Sequence, residues 1–77
     1  MREDRIYRVA LFDSVSHVMK AEKILKEANI PYKIIPVPKH ISTDCGVCVR
    51  FLPEQQETVM EALRLHVHVS EIHELLR

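Results

Sequence analysis

Ile6-Tyr7-Arg8-Val9-Ala10-Leu11-Phe12-Asp13-Ser14 decides how the rest of the chain is read. Residues 6–12 are apolar, aromatic and β-branched, which predicts a strand. Asp13 or Ser14 then offers a side-chain oxygen to cap a helix. Residues 15–28 have helical periodicity. Val18, Ala21, Ile24, Leu25 and Ala28 make one stripe, and Lys20, Glu22, Lys23, Lys26 and Glu27 lie largely opposite. Asn29 suits a left-handed C-cap, with Ile30 as the following apolar contact and Pro31 as the stop.

Outward from that unit, residues 32–37 predict a second strand. Pro36 cannot donate to a ladder, so this strand belongs at a sheet edge. A loop follows over residues 38–45 and ends at Gly46, the single glycine. Residues 47–52 predict a third strand. Pro53 suits the first position of a helix whose opening turn, Glu54-Gln55-Gln56-Glu57, places carboxylates at the positive end of the dipole. Val59, Met60, Ala62 and Leu63 give that helix its apolar side. Residues 67–75 admit a fourth strand, or a short helix capped by Ser70 that presents Ile72, Leu75 and Leu76.

The resulting order is β-α-β-β-α-β, an α+β ferredoxin-like arrangement with one antiparallel sheet and two helices on one face. A right-handed crossover makes the first two strands parallel, with the third antiparallel between them. Val47, Val49 and Phe51 are expected to face the helices. Arg50 is expected to point away from them, on one face with Ala10 and Phe12. That face reads as a dimer seam or as a half-wet sheet surface. Residues 13–17, residues 39–46 and the end of the second helix, with His66 and His68, then share one edge.

The 77 residues form a single small domain. Eleven Lys+Arg balance eleven Asp+Glu, which argues against a nucleic-acid binder. No apolar run approaches the length of a membrane span, and residues 1–5 do not open a secretory signal. The expectation is a cytoplasmic chain. Its core must be aliphatic, and a homodimer that buries more apolar surface is left open.

Cys45 and Cys48 are the two cysteines. A disulfide between them would close too small a loop to staple the fold. Cys48 sits between Val47 and Val49, as a structural cysteine does. Cys45 sits in a polar loop beside Gly46. The topology brings it toward the first turn of the first helix, with His17 and His40 as neighbours. There it reads either as a small loop residue without chemistry or as a thiol with a pKa below the free value of about 8.5. Cys45-Gly46-Val47-Cys48 is formally a C-x-x-C motif, but it runs into a strand rather than opening a helix. A dithiol there needs Gly46 to bend the chain. A zinc site would need two histidines to join the cysteines, and the spacing of His66 and His68 does not fit a finger. No phosphate loop can be built from one glycine.

Four segments resemble the short bacterial selenium/sulfur carrier-like proteins. They are Lys20-Ala21-Glu22-Lys23-Ile24-Leu25-Lys26-Glu27-Ala28-Asn29-Ile30-Pro31, Ile35-Pro36-Val37-Pro38-Lys39, Ile41-Ser42-Thr43-Asp44-Cys45-Gly46 and Val49-Arg50-Phe51. The resemblance spans residues 6–75, and its most specific part is the Pro-Val-Pro-basic segment leading to Ser-x-x-Cys-Gly. It implies a small carrier, without cofactor, whose Cys45 holds a persulfide or perselenide. Ser42, Gly46, His17 and His40 would support that thiol. A cysteine desulfurase or another sulfur or selenium donor, and an acceptor protein, are the implied partners. Cys48 falls where the family usually has an aliphatic residue. It either adds a resolving thiol or fills a core site. An interaction or ligand-sensing module is the competing function, since the fold alone does not fix one.

Overall fold

The structure, a computed structural model, describes residues 6–41 and 46–76. Strand β1 (Ile6–Leu11) leads into helix α1 (Val15–Glu27), strand β2 (Lys33–Pro36) and strand β3 (Val47–Phe51). A 3-10 turn (Pro53–Gln55) runs into helix α2 (Gln56–Leu63), and strand β4 (Glu71–Leu76) closes the sheet. The order β-α-β-β-α-β is therefore present. Residues 71–76 form the strand rather than the capped helix.

Local chemistry explains the ends of α1. Ser14 is the N-cap, with extended backbone, and its Oγ accepts the His17 N–H at 3.4 Å. Ala28 is the C-cap, and Asn29 takes the left-handed conformation at φ 59. The Asn29 N–H donates to Lys26 at 3.1 Å and the Ile30 N–H to Leu25 at 3.0 Å. That pair of bonds is a Schellman ending, and Ile30 buries its side chain as the apolar partner. Val18, Ala21 and Leu25 form the buried stripe. Ile24 is half-buried and Ala28 is exposed, so the stripe ends one turn earlier than the periodicity suggests.

The strand order is β2-β3-β1-β4, antiparallel at every step. Strand β2 lies at an edge, where the missing N–H of Pro36 costs no ladder bond. Register settles which residues share a face. Ala10 pairs with Val49, and Arg8 with Phe51. Directly opposed residues point the same way, so Ala10 joins Val49 beneath the helices. Phe12 does too, in one cluster with Val18, Ala21, Leu25, Val59 and Leu63. This corrects the placement of Ala10 and Phe12 on the Arg50 face. Val9 and Leu11 occupy that side instead, with Ile35, Val37, Cys48 and Leu75. Nor is that face half-wet throughout, because Val9 and Cys48 are fully buried there. Tyr7 and Ile41 pack against this second cluster.

Arg8 points to the helix side and ties three elements together. Its guanidinium donates to Gln56 Oε1 on the first turn of α2 and lies 3.6 Å from Glu74 on β4.

Tyr32 joins α1 to the start of β2 by donating its phenol O–H to Glu22 Oε2 at 3.0 Å. Desolvation first, then that hydrogen bond and the carboxylate charge, hold the Tyr32 phenol above its ordinary pKa. The folded value is raised, so this stabilisation is complete below the unfolded value of about 10 and is lost as pH rises through the folded one. Tyrosinate absorbance, taken as wild type minus Tyr32→Phe, is expected to titrate with a midpoint above that unfolded value. An unshifted midpoint contradicts the contact with Glu22.

Candidate functional site

One edge of the sheet collects the ends of four elements. The Val37 N–H donates to the Gly46 carbonyl at 3.3 Å, which continues the β2–β3 ladder to the mouth of the connecting loop. At the same edge, the Ser70 N–H donates to Leu11 at 2.8 Å and Ser70 Oγ donates to Asp13 Oδ1 at 2.6 Å. The connection from α2 to β4 is thereby tied to the end of β1 and the start of α1. The edge anticipated from topology exists. It holds the end of β1, the start of α1, Gly46 and Ser70 from the segment that follows α2.

The β2–β3 loop is anchored on the face away from the helices. The Ile41 N–H donates to Pro38 at 2.9 Å to make a turn, and its side chain packs against the cluster of Val9, Leu11, Ile35, Val37, Cys48 and Leu75. The sequence signal for this anchor is a lone aliphatic residue inside a polar loop.

His17 and His40 lie in different surroundings. His17 is half-buried, its Nδ1 3.2 Å from Ser14 Oγ, so its ring belongs to the cap of α1. His40 is exposed on the loop. Among the described residues no hydrogen bond or ion pair joins them. Ser42 and Cys45 lie outside the described residues. So does the expectation that Cys45 approaches the first turn of α1.

Gly46 is exposed and has no positive φ. Among the described residues, no atom lies within 4 Å of where a Cβ would be. The backbone there does not require glycine.

Cys48 is fully buried between β2 and β1, opposite Ile35. A small apolar-like thiol fits the tight second cluster, which accounts for a cysteine at a site suited to an aliphatic residue.

No group of three or more His, Cys, Asp or Glu among the described residues could hold a metal ion. No helix among them is long and apolar enough to cross a membrane. A groove of about 710 Å³ runs beside α2, lined by Met60, Leu63, Val67, His68 and Val69 among others. Its described lining contains no cysteine, serine or threonine.

Compared with known proteins, residues 7–74 match the family described as "Putative Se/S carrier protein-like". No curated protein matches the chain, and no solved structure does.

Proposed function

We propose that this chain, which belongs to the Se/S carrier-like family, carries sulfane sulfur or selenium on Cys45. Family membership over nearly the whole domain supports the class of function. One structural observation carries the choice of residue. Of the two cysteines in the chain, Cys48 is fully buried. A carrier atom must be reached by a donor and then by an acceptor, and a thiol closed inside the sheet cannot do this without unfolding. Cys45 is the remaining thiol.

The transfer needs no cofactor and no oxidant. The Cys45 thiolate attacks the terminal sulfur of a donor persulfide. The new S–S bond forms as the donor's S–S bond breaks, and the donor cysteine leaves as a thiolate that takes up a proton. Cys45 then carries a persulfide, and the reverse exchange delivers it to an acceptor thiol. A cysteine desulfurase is the proposed donor. Ile41 packs against the second cluster where the described part of the loop ends.

The test is intact mass after incubating the reduced protein with a cysteine desulfurase and cysteine. The expected product is heavier by one sulfur atom and returns to its starting mass with a thiol reductant. A mass that never changes overturns the carrier reading and leaves an interaction module as the account of this domain.

A further inference from the structure

We propose that the open sheet face carries a second site, for a small phosphoryl-bearing anion, built by Lys33 and Arg50 with Tyr7. It does not depend on the carrier reading. Lys33 on β2 is directly opposite Arg50 on β3. Opposed residues share a face, and like charges in that position destabilise a sheet. Among the described residues, neither cation has a carboxylate partner. The ion pairs present are Arg8 with Glu74, Arg64 with Glu61, and His73 with Glu71.

The two cations border a hollow of about 230 Å³ whose lining includes Tyr7, Pro31 and Tyr32 and, among the described residues, no acidic side chain. Arg50 is held in place there, its guanidinium carbon 4.1 Å from the centre of the Tyr7 ring. A guanidinium over a ring face keeps the N–H groups at its edge able to donate. A planar fork of donors suits a tetrahedral oxyanion, and the Lys33 ammonium adds a point charge beside it. Tyr32, which lines the hollow, is hydrogen-bonded to the carboxylate of Glu22. That carboxylate accepts the phenol proton of Tyr32 from α1 and does not line the hollow. His73 shares the row through Val9, and its Nε2 lies 2.6 Å from Glu71. It is therefore satisfied by its own neighbour.

The size of the hollow limits the ligand to a phosphoryl group and a few more heavy atoms. Its position separates it from the loop. Arg50 is four residues along β3 from Gly46, roughly 13 Å at the rise of an extended strand.

The probe is inorganic phosphate, titrated into the ¹⁵N-labelled protein at constant ionic strength set with sodium chloride. The expected result is saturable shifts at the amides of Lys33 and Arg50 that chloride alone does not produce. Lys33→Gln, on an exposed edge position, and Arg50→Gln are each expected to weaken binding by about tenfold. Phenyl phosphate is the second probe. Tighter binding than phosphate identifies an ester whose body packs on Tyr7 and Pro31, and equal or weaker binding identifies free phosphate. Shifts no larger than those of chloride overturn the proposal. So does binding by Lys33→Gln equal to that of the wild type, which remains decisive even if Arg50→Gln does not fold.

Discussion

Val49→Asp is expected to leave no cooperative thermal transition. Val49 is fully buried at the centre of β3, paired with Ala10 on one side and Ile34 on the other. It sits in the cluster that both helices cover. Among the described residues none of the buried ones is polar or charged, so a carboxylate there meets no buried partner. Burying an unpaired charge costs several kcal/mol, or forces the group to take up a proton at a similar cost. A chain of 77 residues has roughly 4–12 kcal/mol of total stability to set against that. Val49→Ala removes volume without adding charge and is expected to keep a cooperative transition at a lower midpoint. Circular dichroism against temperature reads both variants. A near-wild-type midpoint for Val49→Asp contradicts the register of β3.

The register shows where sequence reading stops. Alternation placed Val47, Val49 and Phe51 beneath the helices correctly, because Cys48 and Arg50 between them differ in kind. In β1 both parities are apolar, with Val9 and Leu11 on one face and Ala10 and Phe12 on the other, and both faces are buried. A period of two then carries no information about direction. Only the pairing of Ala10 with Val49 decides it, and that is a long-range contact. The last element stayed open between strand and short helix for a related reason. Ile72, Leu75 and Leu76 have helical spacing, but six consecutive pairs with β1 make the segment a strand. Local signals were strongest where backbone chemistry is local. The Ser14 cap, the Asn29 turn and the edge position of Pro36 follow from single residues. The candidate site divides the same way. Cys48 was legible as structural from its β-branched neighbours. The pairing of Lys33 with Arg50 was invisible until strand register set them opposite one another.

Cys45→Ser is expected to abolish sulfur loading. A hydroxyl is a far weaker nucleophile toward sulfane sulfur than a thiolate, and a serine cannot hold a persulfide. Cys48→Ser is expected to keep loading, with some loss of stability, because it places a hydroxyl in the apolar cluster of Val9, Leu11 and Ile35. The pair separates chemistry from folding. Cys45→Ser loses function with its thermal midpoint retained, and Cys48→Ser loses stability with its function retained. Loading that survives in Cys45→Ser overturns the assignment of the acceptor.

Mapping the added sulfur tests the central claim most directly. Trypsin cuts after Lys39 and Arg50, so residues 40–50 form one peptide that contains both cysteines. After loading from a desulfurase and alkylation of the persulfide to trap it, fragment ions of that peptide assign the extra sulfur to one thiol. The account predicts it on Cys45, with Cys48 unmodified. Sulfur on Cys48, or a peptide without added sulfur from a donor shown to be active, contradicts it.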